Sequence, residues 1–481
     1  MLPTITVDVG TTSVKLCLFD AEAGLVASAR HSTPTTDDGW GEVYDVDALR
    51  GAIDAFVRAL EPADRAAVAR IAVTGVGESG GLVLPDCSLA SPMILWHDHR
   101  GADRLAPLSA ADRSLVYGVT GLPVNANYGL SKIAWAVEHS GASAAAAHWL
   151  NVAEYLAATL TGRRWSEYSL ASRTMALDLV ERSWSPAVAA LLGVGVDLLP
   201  ELRPAAEGSP LTAAVARDLG LSEDVVVHVA GHDHMVGAVG ADLREGELLN
   251  STGTTEGLLF LRGTPDLGRS AELAKLANGI ACTGSDYTLF ASVPTGGSAF
   301  ATLQTLLAVD ADTLTEVVRA AHERYLVGDV DLDAIPLVLP QFRGSPPPTK
   351  QAAARGIVAG LRTDTSREEL VLGCFLGMAR QFKDVLALFP ARPDRIKVIG
   401  PAGRNPLWLH LKADLLGTAL SVSRFPEVVS RGAQALASGT AARWEDCDPE
   451  DVFPDPRRHA RLAEWCERTA AQWDHLKALP T

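Results

Sequence analysis

Two stretches of this chain, far apart in sequence, carry the same short turn chemistry. Asp8 closes a run of branched residues and is followed by Gly10-Thr11-Thr12, while Ser251 and Thr252 lead into Gly253-Thr254-Thr255. A carboxylate at a strand end beside a Gly-Thr-Thr turn gathers several backbone N–H groups and two hydroxyls, which suits phosphate and a magnesium-bound water. An ordinary hairpin turn accounts equally well for either stretch alone. Two such loops, one in each half, can close on a single polyphosphate, and that pairing favours the chemical reading. Asp233 supplies a third group. It follows the strand-like VVVHVAG and opens a helix, where a carboxylate can be desolvated and aimed into a cleft. There it can accept a hydroxyl proton as a phosphoryl group arrives in line. Capping the helix is the plainer role for an Asp at that point.

Other constellations weigh differently. Trp96-His97-Asp98-His99-Arg100 sets an aromatic face beside fixed charges. Trp96 and Asp98 there suit the C–H faces and hydroxyls of a sugar, although an Arg–Asp surface turn explains the same residues. GVGESGG, residues 75–81, satisfies both G-x-G-x-x-G and G-x-S-x-G. Both motifs demand a helix directly afterwards, and the strand-like LVLPD follows instead. A Gly-rich turn is expected, with Glu78 free to accept hydrogen bonds from hydroxyls. His232 and His234 flank Asp233, but alternate residues tend to point apart and no third ligand suggests itself, so a metal site there is a minor alternative. None of the eight lysines follows a glycine, which excludes a Walker A loop.

The elements that must position these groups are legible as periodicity. ITVDVG, VKLCLFD and LVASARH read as three strands of an antiparallel meander, turning at GTTS and at AEAG. A helix is predicted over DVDALRGAIDAFVRALE, and strands over IAVTGV, GGLVLPD and SPMILWHDHRG. Residues 109–220 read as mainly helical. VVVHVAGHDH and GELLNSTGTTEGLLFLRG return to strands, and the second overlays the start of the chain strand for strand. That points to an internal repeat dividing the chain almost in half. A loop with Pro346, Pro347 and Pro348, a long helix over REELVLGCFLGMARQFKDVLALF and a strand–turn–helix over IKVIGPAGRNPLWLHLKADLLG follow. A length of 481 residues exceeds one ordinary core. A net charge of −16 disfavours a nucleic-acid partner. Six cysteines without a C-x-x-C pair predict reduced thiols. With no secretory leader pattern and no membrane-spanning window, a cytoplasmic protein with no membrane partner is expected. Whether it forms a homodimer is left open.

In their order and spacing, DVGTTSVKLCLFD, WHDHR, TGLPVNANYGLSKIAW, AGHDH, STGTTEG and RNPLWLHLKADLLG resemble the FGGY carbohydrate kinases, relatives of glycerol kinase, xylulokinase and fuculokinase. The resemblance spans residue 4 to about 440. It implies an α/β protein of two ribonuclease-H-like domains of the actin/hexokinase superfamily with a cleft between them. Residues 1–243 would carry the sugar side and first phosphate loop, and 244–481 the nucleotide side. It implies ATP and Mg2+ as cofactors and a small sugar or polyol, a ketose such as xylulose included, as the substrate. Asp8 matches the magnesium-organising aspartate, and Gly10, Thr11 and Thr12 the first phosphate loop. Lys15 matches a basic position near the phosphates. Asp233 matches the catalytic base, in reach of substrate and metal. Gly253, Thr254 and the adjoining Thr255 fall on the second phosphate loop. Gly400, Gly403 and Asn405 match the adenosine turn, and Trp96 a substrate-side position. The tyrosine some relatives use on substrate falls at Asn127, beside Tyr128. Pro401 and Ala402 depart from the family's glycine-rich adenosine turn. That departure motivates a rival reading as a non-catalytic sugar or nucleotide sensor on the same fold. A metal-dependent hydrolase using His232 and His234 is the other rival.

Overall fold

The computed structural model describes residues 2–20, 24–141 and 146–479. The turn expected at AEAG falls largely on residues 21–23, outside the described residues. Two sheets organise the chain. The first contains β1 (Thr4–Val9), β2 (Ser13–Asp20), β3 (Gly24–Ser32), β4 (Arg70–Gly75), β5 (Ser209–Pro210) and β6 (Val226–His232), in the order β5-β6-β4-β1-β2-β3. The second contains β7 (Glu247–Thr252), β8 (Glu256–Arg262), β9 (Ala277–Ile280), β10 (Tyr287–Val293), β11 (Arg395–Ile399), β12 (Leu420–Ser423) and β13 (Pro449–Val452), in the order β9-β10-β8-β7-β11-β12-β13.

The repeat extends well beyond the Gly-Thr-Thr overlap. In the first sheet β1 is antiparallel to β2 and parallel to β4, β4 is parallel to β6, and β5 closes the edge antiparallel. In the second, β7 is antiparallel to β8 and parallel to β11, β11 is parallel to β12, and β13 closes the edge antiparallel. The two Gly-Thr-Thr turns therefore join equivalent strands of duplicated sheets. The parallel strands β1, β4 and β6 read as almost unbroken buried runs, as strands covered on both faces must.

Helices cover each sheet. In the first half α1 (Val46–Ala59) buries Leu49, Ile53, Phe56 and Val57, the apolar stripe that its spacing predicts. There too lie α2 (Gly129–Ser140) and α3 (Val152–Thr161), with α3 opened by an Asn151–Glu154 capping box. Two more helices lie between the sheets: α4 (Asp233–Gly240), from the first half, and a partner from the second. The second half adds α5 (Ser298–Leu307), α6 (Arg367–Leu386), α7 (Pro406–Leu416) and that partner, α8 (Val428–Ser438). Helix α4 packs on β7 and β8 of the second sheet, while α8 packs on β1 and β4 of the first. Met235, Val236, Leu249, Ile399, Val428 and Ala433 form the apolar cluster they share. At the C-terminal end Pro456–Arg468 and Ala470–Ala478 are helical, and Trp465 and Trp473 flank the buried Arg380 guanidinium.

Two expectations need correction. SPMILWHDHRG is not a strand: Ile94 makes isolated bridges to Val43 and Gly80, and the chain then turns. Pro92 lacks the donor that a ladder needs, and Asp98 folds back on Arg100, accepting its backbone N–H at 2.8 Å. Residues 109–220 also contain short strand pairs, Trp165–Glu167 with Glu201–Arg203 and Leu177–Asp178 with Ser183–Trp184, too brief to show periodicity.

Helices α4 and α8 cross with their backbones in contact. A Cβ at Gly240 would overlap the Val428 carbonyl oxygen, and one at Gly432 would overlap that of Val236. Gly→Ala in an unobstructed helix gains about 0.5–1 kcal/mol. Gly51 of α1, with nothing near its would-be Cβ, should follow that rule. Gly240→Ala and Gly432→Ala should instead destabilise by roughly 1–3 kcal/mol, because the helices must part. Thermal unfolding of the three variants checks the opposite signs; stabilisation by all three would mean that the crossing has slack.

Candidate active site

Asp8 lies near the end of β1, directly opposite Lys15 in the β1–β2 ladder. Its buried carboxyl is pushed above the usual range by burial, against the pull of Lys15. The Lys15 ammonium lies 3.6 Å from Asp8 and 3.3 Å from Glu427, the N-cap of α8. Lys15 thus ties the first turn to α8 between two carboxylates and is not on the cavity wall.

Asp233 owes its position to a bulge. The β6–β4 register shifts between Val229 and Gly231, and Gly231 adopts φ 120°. Only glycine fits there, since a Cβ would come within 2.7 Å of the Cys282 sulfur. The bulge re-aims the strand end so that His232, not Asp233, is the N-cap, and Asp233 is the first residue of α4. The Asp233 Oδ1 accepts from the His234 backbone N–H at 2.6 Å and lies 3.3 Å from His232 Nδ1. Burial pushes its carboxyl up to about 6; His232 draws it down, and Asp8 and Glu78 push it further up. Glu78 behaves oppositely. Burial would raise it, but hydrogen bonding and charge from His232, then Arg173 and Lys132, hold it at about 2. Two carboxylates with their proton affinities driven apart are the usual arrangement of an acid–base site.

A cavity of about 370 Å³ joins these groups, with Thr11 from the first turn and Thr255 from the second on the same wall as Glu78, Trp96 and Asp233. Trp96 Nε1 donates to Thr11 Oγ1 at 3.0 Å, which couples the aromatic face to the first turn. Asn127 also lines the cavity, its Oδ1 2.7 Å from His99 Nε2. His232 and His234 do not point apart: their rings stack with centroids 5.4 Å apart, because strand alternation ends where α4 begins. His234 Nδ1 lies 2.6 Å from Ser251 Oγ, and His232 faces Glu78 at 3.7 Å through Nε2 and Asp233 at 3.3 Å through Nδ1. Among the described residues no group of three or more His, Cys, Asp and Glu side chains is placed to hold a metal by itself.

Asp98 is not on the cavity wall. Its Oδ2 accepts from Arg100 Nε at 2.8 Å, and Arg100 also donates to Asp38 at 2.7 Å and lies over Trp135. Asp98 and Arg100 thus form the Arg–Asp pair that the sequence also allows.

The second turn is clamped from behind. Gly400, at φ 96°, runs so close to the Thr252 carbonyl that no Cβ fits. Thr252 Oγ1 donates to the Ile399 carbonyl at 2.8 Å and accepts from the Ala402 N–H at 3.2 Å. Gly403 packs near Val422, and Asn405 caps α7 by accepting from the Trp408 N–H at 3.2 Å. The methyl of Ala402 packs on the apolar core of the second half, so this departure is absorbed by packing. Sequence reasoning missed Gly296 and Gly297, ahead of α5. They donate to the Thr254 and Gly253 carbonyls at 3.0 and 2.8 Å, and Ser298 Oγ beside them is buried without a partner. A strand followed by T-G-G-S and a helix was the available signal. Sequence reasoning also missed Arg173, Arg343 and Lys350, all on the cavity wall.

Family models for the N-terminal and C-terminal domains of the FGGY family of carbohydrate kinases match residues 4–240 and 248–441. The chain belongs to this family. As an FGGY carbohydrate kinase it is a phosphotransferase. Glycerol kinase of Gloeobacter violaceus is 26% identical to it, covering 92% of this kinase and 89% of the relative. Glycerol kinase of Rhodospirillum centenum is 27% identical, covering 96% of each. Among solved structures, xylulose kinase from Rhodospirillum rubrum has a TM-score of 0.83 at 22% identity, covering 98% of this chain and 99% of that one. Plasmodium falciparum glycerol kinase with ADP has a TM-score of 0.82 at 18% identity, covering 98% of each. At these identities the structural likeness shows the fold. No helix among the described residues is long and apolar enough to cross a membrane.

Because Asp98 serves Arg100, Asp98→Asn should lower stability by about 1–3 kcal/mol, the range for losing a charged hydrogen bond. The KM for the acceptor should stay within about twofold. Thermal unfolding and steady-state kinetics on the same preparation check this; a large KM change at unchanged stability would return Asp98 to the site.

Proposed function

We propose that this kinase transfers the γ-phosphoryl group of ATP to a primary hydroxyl of a small sugar or polyol, ketoses such as xylulose included, with Asp233 as the base. The observation that carries the reading is one cavity wall shared by Asp233, Glu78, Trp96 and a threonine from each Gly-Thr-Thr turn. The residues present fit a magnesium nucleotide. The charge of Asp8 raises the proton affinity of Asp233, a repulsion that a divalent cation relieves. The second turn is backed by α5, whose N-terminus has no side-chain cap.

In this reading Asp8 and Asp233 would hold Mg2+. Residues 10–12 and 253–255 bind the phosphates through backbone N–H groups and hydroxyls, and Gly400, Gly403 and Asn405 shape the adenosine pocket. Lys15 offsets the charge of Asp8. Bound ATP supplies the phosphoryl group, and Mg2+ supplies neutralisation of its oxygens. Trp96 offers its face to the sugar, and Asn127 and the ionised Glu78 hold acceptor hydroxyls. The attacking hydroxyl gives its proton to an Asp233 Oδ as its oxygen bonds to phosphorus. A carboxyl with a proton affinity near 6 is ionised at neutral pH yet basic enough to take that proton. Residues 1–243 form the acceptor-side domain and 244–481 the nucleotide-side domain.

Asp233→Asn should lower kcat by roughly 10²- to 10⁴-fold while both substrates still bind, as calorimetry would show. For the unaltered enzyme, kcat/KM should fall as pH drops through about 6, because protonation of Asp233 removes the base. Equal turnover by the variant, or a flat profile across that range, would remove Asp233 from this role.

A further inference from the structure

The cavity is more cationic than the chain that builds it. Against a net charge of −16, its wall carries Arg173, Arg343 and Lys350 and, of carboxylates, Glu78 and Asp233. Asp233 is committed to the transferred proton. None of the three cations has a carboxylate ion-pair partner among the described residues. Arg173 is 1% exposed; its Nη2 donates to the Asn278 carbonyl, its guanidinium lies 5.8 Å from the centre of the Tyr128 ring, and its Nε is buried without a partner. Lys350 sits in the left-handed region at φ 49°, a conformation that persists only where the surroundings impose it. Burial and the charge of Arg173 push its ammonium down to about 8. Arg343 acts by charge on His97, whose ring meets Trp96 edge-on at 5.3 Å. The three cations therefore surround the Glu78 and Trp96 side of the cavity, where the acceptor is held. Arg343 is exposed, but Arg173 is buried and Lys350 half-buried with only Glu78 acting by charge on both, so an anionic ligand offsets charge that the protein leaves partly unbalanced.

We propose that the acceptor is itself an anion: a sugar acid whose carboxylate is held by Arg173, Arg343 and Lys350 while a hydroxyl at its other end faces Asp233. The proposal rests on the kinase reading and narrows its substrate class. A cavity of about 370 Å³ suits a small polyhydroxy acid. Paired with a planar carboxylate, Arg173 finds an acceptor for a guanidinium edge that protein atoms leave unused. The carboxylate takes no part in the bond changes. The acceptor oxygen–phosphorus bond forms as the bond to the leaving diphosphate breaks, and the hydroxyl proton passes to Asp233.

The test is ADP release at saturating magnesium-ATP across aldonic acids, the alditols of equal carbon number and the matching sugar phosphates. The preferred acid should exceed its alditol in kcat/KM by about 100-fold. Lys350→Gln and Arg343→Gln should each raise the KM for the acid roughly tenfold or more, while the KM for ATP changes less than about twofold. Arg173 is left intact because it is buried in the fold. A neutral polyol or ketose turned over better than every acid overturns the proposal and leaves the kinase reading standing. A preference for a sugar phosphate, or a Lys350→Gln defect confined to the KM for ATP, overturns it likewise. Calorimetric binding of the acid that Lys350→Gln abolishes, without ADP release from any acceptor, sustains the anion site and overturns the kinase reading. No binding and no ADP release overturn both.

Discussion

The glycine-to-carbonyl crossing of α4 and α8 is the constraint on which the site depends. Each helix belongs to one half of the chain and packs on the sheet of the other. With no side chain at Gly240 or Gly432, their separation is set by backbone contact and cannot shrink further. The N-terminus of α4 carries Asp233, and the N-cap of α8 is Glu427, bound to Lys15. One contact therefore sets both the height of the base above the cavity and the anchoring of the first turn. Helical glycines cost about 0.5–1 kcal/mol each, and the apolar cluster around Met235, Val236, Ile399 and Ala433 offsets that cost.

Charge placement follows from that geometry. The second turn is held by a fully buried ion pair, Lys412 Nζ to Glu256 Oε2 at 2.6 Å, in the residue directly after Thr255. Lys412 also donates to Asn250 at 2.8 Å and lies over the rings of Trp408 and Phe382. A buried pair of this kind adds little net stability over apolar residues, but it admits few alternative geometries. On the acceptor side, Lys132 is buried with its ammonium donating to the Ala126 and Asn127 carbonyls at 2.9 and 2.6 Å. Its charge helps to keep Glu78 ionised. The site has fixed charge on Glu78 and a mobile proton on Asp233, each set by neighbours that differ in sign.

Much of this was legible in the chain. Strand-turn-strand chemistry is local, so the meander β1–β3, the repeated Gly-Thr-Thr turns and the strand leading to Asp233 could be read from residue types in order. What failed was long-range. The pairing of Asp98 with Arg100 is local and legible, whereas the hold of Asp38 on the same guanidinium, 62 residues away, is not. The two histidines seemed divergent because the bulge at Gly231 and the immediate start of α4 leave no periodic trace. Arg343 and Lys350 flank a proline-rich loop without periodicity, and Arg173 lies in a segment of short elements. No spacing rule could bring those three cations to one wall.

The duplication explains why the two turns cannot carry equal chemistry. Their sheets share the same sequence of parallel and antiparallel pairings, yet Asp8, two residues before its Gly-Thr-Thr, is matched by Ser251 before the other. A second aspartate there would place three carboxylates, with Asp233, around one recess. Like charges at that range cannot all remain ionised, so at least one would stay protonated near neutral pH. Ser251 instead makes a neutral hydrogen bond to His234 at 2.6 Å, and burial pushes that imidazole down to about 4. The first turn thus brings the acidic group and the second brings neutral donors. An ancestral symmetry kept in the backbone has been broken where identical side chains would repel.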